Sequence, residues 1–260
     1  MWLAGVFLIV HGAIPSTLLG VAILAIVYAR NLEFVHACIH VRFVGRGRLN
    51  RTIGVLLSIP MMVSFSRWRR EHAQHHRDIR KEGFRYEYDR LTTVPELFLH
   101  VFMLRHFVDA GIQILRAPFA SFRSDELKYA RRDYILIGCY VLAIAFATAY
   151  SKNAIPIMLF VAPLPLAAIV HTHIELPEHF GCQVADEDAF KNSRIMQCGS
   201  FITWFVYFNN YHAIHHWDAR IPNERLPALF SELAESRGVS TERYGAFFAG
   251  FYRKLLVGTR

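Results

Sequence analysis

The chain has 260 residues, 53% of them apolar, with a formal net charge of +8 and 14 histidines. That length suits one sizeable domain, and a mean hydropathy of +0.24 is high for a soluble protein, so an integral membrane protein is expected. The basic surplus alone would also suit a nucleic-acid binder, but the arginines are interleaved with long uncharged runs, and no nucleic-acid partner is expected.

No Asp, Glu, Lys or Arg occurs in Met1–Ala29, Tyr134–Ser151 or Asn153–Ile174. Spanning a bilayer takes about 20 apolar residues. The first run is interrupted by "HGAIPS", His11 to Ser16, where Gly12 and Pro15 favour a turn or kink. Residues 1–11 are therefore a stub or a short first membrane helix, and a cleaved signal peptide is not expected, because neither a basic leader nor a small-residue cleavage site is present. A membrane segment over about 16–38 follows, whose helix can continue to about His40 and project beyond the bilayer.

Next, Thr52 to Ser66 is a 15-residue uncharged run containing a proline, which suits a re-entrant or interfacial helix. Segments 134–150 and 154–172 are separated only by "SKN" and form a tight helical hairpin. That topology puts 28 of the 29 Lys and Arg residues on one face, with Lys152 alone opposite, and the bias of basic residues makes that face cytoplasmic. Ile195 to Ile214 is long enough to cross, but crossing would separate two related histidine motifs, so it is expected to stay on or dip into the cytoplasmic side. The expected fold is one all-α integral membrane domain over 1–260, with about three to four transmembrane helices and a cytoplasmic helical cap. Cys38, Cys139, Cys182 and Cys198 form no CxxC pair, so neither a disulfide framework nor a zinc ribbon is indicated.

The histidines carry the chemistry. "HACIH" places His36 and His40 at i and i+4, on one helix face where the first segment leaves the membrane. "EHAQHH" contributes His72, His75 and His76, and "NNYHAIHHW" contributes His212, His215 and His216. A lone histidine on an apolar face is usually a core residue; three clusters at helical spacing on one side of a membrane point to metal. Eight imidazoles exceed what one ion takes, so two ions are implied, from among iron, copper, zinc and nickel. A structural zinc site would more often include thiolates. A ferritin-like carboxylate site needs paired Glu-x-x-His motifs, and only Glu33 to His36 fits.

On these motifs the chain resembles the membrane fatty acid desaturase and hydroxylase superfamily: "HACIH" matches its HxxxH box, "HAQHH" and "HAIHH" its two HxxHH boxes, and "NNYHAIHHWDARIPNERLP" its third-box context. The resemblance implies two iron ions, dioxygen as co-substrate, a lipid-like acyl substrate and electrons from a separate ferredoxin or cytochrome-type donor. It is nearest to bacterial-type desaturases, which implies a bacterial inner membrane with the active site on the cytoplasmic side, among membrane lipids. Desaturation is the expected reaction, with hydroxylation the alternative and ketolase or decarboxylase variants of the same site behind it. Metal transport is a distant alternative, because the uncharged runs contain no acidic residue to line a path.

The family draws a ninth histidine from the segment before the third box. Here "HTHIELPEHFG" offers His171, His173 and His179, and "PEHFG" resembles the family's pattern, which selects His179. Glu175 lies one turn earlier and would reach a metal directly or through water only if the helix persists past Pro177. Glu178, Asn209, Asn210, Asp218 and Arg194 are candidates to orient imidazole N–H groups or balance charge, and His173 is a further candidate nearer the membrane. His11, His100 and His106 match no box. The basic run "SRWRREH", Ser66 to His72, suits contact with lipid headgroups, an acidic carrier or electron donor, or simple interfacial anchoring with Trp68.

Overall fold

The structure is a computed structural model that describes residues 1–40, 43–45, 47–79, 81, 91–120, 125–183, 186–237 and 239–257. Helices dominate: α1 (Trp2–His11), α2 (Ile14–Ile39), α3 (Gly47–Ser58), α4 (Phe65–Asp78), α5 (Val94–Val101), α6 (Leu104–Arg116) and α7 (Asp125–Ser151) form the first half. The second half comprises α8 (Ile155–Phe160), α9 (Leu164–His179), α10 (Ala189–Asn192), α11 (Ser200–Phe205), α12 (His212–Trp217), α13 (Leu226–Arg237) and α14 (Tyr244–Val257). The described strands are two-residue segments, β1 (Met196–Gln197) and β2 (Glu242–Arg243), paired in parallel.

Among the described residues three helices are long and apolar enough to cross a membrane: Ile14–Ile39, Leu127–Ser151 and Ile155–His179, the last combining α8 and α9. Two bent pairs, α3 with α4 at 102° and α5 with α6 at 50°, raise the number to five if each counts as one span. The chain is an all-α integral membrane protein. Its α2 has 26 residues, a length of about 39 Å at about 1.5 Å per residue, against a hydrocarbon core of about 30 Å. The surplus carries the helix beyond the apolar layer, and its last turns hold the buried Glu33 and His36.

Proline and glycine shape the entry to this bundle. Pro15 does not break α2 but sits in its first turn, where a missing N–H costs nothing. The preceding α1 folds back along α2 through facing glycines: a Cβ on Gly20 would lie 2.7 Å from the carbonyl oxygen of Gly5. Small residues permit such close approach between helices in lipid. The later hairpin turns at Lys152, whose φ is 52°, and Asn153 accepts the Ile155 N–H at 3.0 Å to start the return helix.

The stretch Thr52 to Ser66 is not one helix. It comprises most of α3, a 3-10 turn over Ile59–Met61, and a left-handed Met62 (φ 56°) that redirects the chain into α4. Gly54 is required by this bend, since a Cβ there would fall 2.2 Å from the Phe65 ring. Likewise Ile195 to Ile214 forms no long helix; it is divided among β1, α11, a 3-10 turn over Asn209–Tyr211 and the start of α12. Its α11 exposes Phe201 and Trp204, and the Arg30 guanidinium lies 3.4 Å over the Trp204 ring.

One buried carboxylate fixes the start of α4 against α7. Ser64 caps α4 by accepting the Arg67 N–H at 3.2 Å. Asp133 of α7 accepts the Ser64 hydroxyl at 3.0 Å and the Ser66 N–H at 2.7 Å, with Arg51 at 3.8 Å. A carboxylate at a helix N-terminus also complements the helix dipole. Replacing Asp133 with alanine leaves a buried hydroxyl and N–H without their acceptor, and we expect a loss of about 3 kcal/mol. Unfolding of the variant in detergent measures it; a stability within about 0.5 kcal/mol of the wild type would contradict this role.

Candidate metal centre

The bundle runs so that the C-terminal end of α2, the N-terminal end of α7 and the C-terminal end of α9 share one side. There, four chain segments deliver nine histidines. The end of α2 and the residue after it supply His36 and His40; α4 supplies His72, His75 and His76; the last residue of α9 is His179; and α12 supplies His212, His215 and His216.

The nine rings divide into two groups, His36, His40, His72, His76 and His215 in one, and His75, His179, His212 and His216 in the other. Within each group the potential ligand atoms all lie within 4.8 Å of one another. The division explains the two HxxHH motifs. In the motif on α4, the i and i+4 histidines (His72, His76) join the first group and the i+3 histidine (His75) the second. On α12 the assignment is exchanged: His212 and His216 join the second group and His215 the first. Neighbouring histidines lie about 100° apart around a helix, so each HH pair faces both groups at once.

The ring nitrogens fit metal ligation and not a network of their own. His72 Nε2 lies 2.9 Å from His36 Nε2, 2.8 Å from His40 Nε2 and 3.0 Å from His76 Nε2. One ring nitrogen has either a single proton or a single lone pair, so it cannot satisfy three such neighbours. In the second group the Nε2 separations are 3.1 Å for His75–His179, 3.2 Å for His179–His216 and 3.0 Å for His212–His179. Imidazole nitrogens about 2.0–2.1 Å from one first-row ion and at right angles to each other would be about 3.0 Å apart.

Surrounding groups orient the rings. His179 Nδ1–H donates to the Asn192 carbonyl at 2.8 Å, which leaves the Nε2 lone pair directed into the second group. Asn209 does two things: its Oδ1 lies 3.3 Å from His212 Nδ1, and its amide donates to Glu178 Oε1 at 2.6 Å. The other Glu178 oxygen lies 3.3 Å from His212 Nε2, so this carboxylate faces the second group directly. Arg194 touches no described histidine ring; its guanidinium donates to the carbonyls of Pro177 and Phe180, the latter at 3.1 Å, and pairs with Glu242 at 2.9 Å, securing the end of α9 beside His179.

The remaining candidates make other contacts. Pro177 does not end α9, which continues to His179. Glu175 nonetheless turns to His171, with Oε1 3.2 Å from its Nε2, while Glu33 Oε1 lies 3.6 Å from His171 Nδ1. His173 faces away from the histidine groups, bonding the Ile169 carbonyl at 2.7 Å and the Tyr252 hydroxyl at 2.6 Å. Asn210 donates to the Met196 carbonyl at 3.1 Å. Asp218 accepts both guanidinium N–H groups of Arg220 at 2.9 Å and lines an opening with His40, His76 and His216. Sequence reasoning missed Asn192, which acts through its backbone carbonyl and so carries no side-chain signal. It also saw Glu33 only as half of an unmatched motif, without its pairing to His171.

A cavity of about 500 Å³ opens beside both groups, lined by His36, His72, His75, His179 and His212 together with Glu33, Glu175 and Glu178. Burial, reinforced by the neighbouring imidazoles, pushes His212, His215 and His216 well below the ordinary histidine pKa. They are therefore neutral and able to ligate near pH 7. In the metal-free protein a depressed histidine pKa contributes stability above the unfolded value of about 6.5 and loses it as the pH falls, because the unfolded chain takes up protons first. Metal-free protein in detergent should unfold at progressively lower temperature between about pH 7.5 and 5.5; an unchanged midpoint would contradict this picture of the rings.

A family model described as fatty acid desaturase matches residues 13–248. No curated protein matches the chain. The matched region includes all nine converging histidines, and the chain belongs to the fatty acid desaturase family.

Proposed function

We propose that the protein is a membrane oxidase that desaturates a lipid-like acyl chain, with two iron ions held by the nine histidines: His36, His40, His72, His76 and His215 around one, His75, His179, His212 and His216 around the other. The observation that carries this reading is the exchanged division of the two HxxHH motifs between two groups. A single-ion site or a packed polar core has no need of it. With dioxygen and two electrons from a separate donor of ferredoxin or cytochrome type, such an iron pair supplies an oxidant strong enough to take hydrogen from an unactivated C–H bond.

The protein's own residues perform the rest. Asn192 and Asn209 fix ring orientation, and the burial of His212, His215 and His216 excludes water from the rings. The cavity beside both groups, polar in its lining, opens onto His36, His72, His75, His179 and His212. Glu178 places a carboxylate at the second group, where it offsets positive charge. We further propose that Ile14–Ile39, Leu127–Ser151 and Ile155–His179 cross the membrane and that the histidines lie on the cytoplasmic side, since this topology puts 28 of the 29 Lys and Arg residues there.

Removing one ligand from each group separates the two sites. His75→Ala and His215→Ala should each lower bound iron from two toward one per chain and reduce turnover by about 100-fold or more. Unchanged metal and activity in both variants would overturn the assignment. Purified protein given iron, reductant, dioxygen and an acyl-lipid extract should yield products lighter by two hydrogens in mass spectrometry. Products heavier by one oxygen would make it a hydroxylase, and no oxygen-dependent product after iron reconstitution would refute the oxidase reading.

A further inference from the structure

Three ionisable side chains that belong to neither histidine group meet inside the helical bundle. His171, on α9, has a carboxylate near each ring nitrogen: Glu175 Oε1 lies 3.2 Å from Nε2, and Glu33 Oε1, on α2, lies 3.6 Å from Nδ1. The first pair is within hydrogen-bond reach, and the second closes with a shift of a few tenths of an ångström. The side chains of His171 and Glu33 are only 7% and 3% exposed. Ionisable groups are costly at such depth in a membrane protein and mark functional sites. The nine-histidine assignment does not use these three, and α2 already packs on α9 through Ala25, Tyr28, Leu32 and Ala167.

Their placement joins two cavities. Glu33 and Glu175 line the cavity of about 500 Å³ beside both histidine groups. His171 and Glu175 line a neighbouring cavity of about 430 Å³ between α4, α5, α6 and α9. The walls of this outer cavity also carry His100, His106, Asp109, Glu71 and Arg105. Glu71 and Arg105 are exposed, so this side borders water. On the inner side, Glu33 Oε2 makes no hydrogen bond with any described residue, which leaves it for a donor in the cavity beside the histidines. Imidazole suits the position between two carboxylates, because it takes a proton at one ring nitrogen while releasing one from the other. A proton on Glu175 can pass to His171 Nε2 as the proton on Nδ1 passes to Glu33.

The reaction needs such a supply. Desaturation breaks two C–H bonds and the O–O bond, and forms the alkene and two water molecules. Dioxygen takes four electrons, two from the substrate and two from the external donor. Of the four hydrogens in the waters, two come from the substrate and two arrive as protons from solvent. Hydroxylation, which yields an alcohol and one water, draws the same two protons. They must cross the burial that keeps water from the rings. From this placement we propose that Glu175, His171 and Glu33 form a proton path, which carries the protons consumed in the reaction from the outer cavity to the one beside the histidine groups. The proposal rests on the oxidase reading above and adds the route by which its protons enter.

Ring N–H exchange tests the path without turnover. His179 supplies the control: it is also buried, and its Nδ1–H is bonded to the Asn192 carbonyl, which cannot pass a proton on. In full-length protein loaded with diamagnetic zinc, nuclear magnetic resonance should show the His171 N–H exchanging with D2O about tenfold or more faster than that of His179. Glu175→Gln should slow the His171 exchange toward the control rate. In iron-loaded protein, His171→Gln and Glu33→Gln should keep their iron and KM but lower kcat by about tenfold or more, and raise the D2O solvent isotope effect on kcat above the wild-type value. Glu33→Asp should recover most of the loss. Equal exchange at His171 and His179 would overturn the path, and this comparison needs no variant in the trio beyond those that assign the signals. A kcat within about twofold of wild type in either glutamine variant, or a fall in kcat with an unaltered isotope effect, would overturn it too. Loss of iron from both variants would make the trio a support of the metal centre instead. The two readings fail separately. Wild-type turnover with failed exchange or isotope criteria refutes the path alone. No oxygen-dependent product from wild type refutes the oxidase reading, and the path then has no reaction to serve.

Discussion

The structure depends on bringing nine imidazoles together at one end of a membrane bundle. Such rings are costly to bury: each must be neutral, and each ring nitrogen needs a partner. At His72 no arrangement of protons meets that need, because three other Nε2 atoms crowd its own. A cation at the centre of each group would resolve the conflict for all the rings at once. Four separate chain segments must then be held in register, which is what the surrounding polar contacts do. Asp133 ties the start of α4 to α7, Asn192 and Arg194 hold the end of α9, and Asn209 links α12 to Glu178.

Much of this was legible in the sequence because it is local. Spacing of i and i+4 puts two rings on one helix face, and an adjacent pair of histidines must face two directions. The nine residues that converge are the nine singled out from motifs and resemblance. What was not legible depends on long-range packing. His171 lies between Glu33 and Glu175, and Glu33 is distant from both in sequence, so no local pattern announces the trio. His173, two residues away on the same helix, points to Tyr252 of α14 instead, a contact that spacing alone cannot supply. Arg194 acts on the carbonyls at the end of α9 and not on a ring, so its contribution to the site is indirect.

Prolines show the same limit of local rules. Pro15 accommodates the start of α2 and Pro177 lies within α9, although both carry the same helix-breaking prior. The outcome depends on whether the missing N–H has a partner to lose and whether packing holds the turn. The uncharged runs at Thr52–Ser66 and Ile195–Ile214 show the complementary case: apolar composition is necessary for a span, but bends at Met62 and at Tyr207 and Phe208, all with positive φ, divide these segments into shorter pieces. Those bends let α4 and α12 meet over the ends of α2 and α9, with the cavity beside both histidine groups between them.

The account's central claim is that the two histidine groups hold two iron ions. Iron-edge X-ray absorption on anaerobically reconstituted protein, combined with metal quantification, tests it most directly. The claim predicts two irons per chain, each surrounded mainly by imidazole nitrogen at about 2.1 Å. One ion per chain, or iron bound without a nitrogen-dominated coordination sphere, would contradict it.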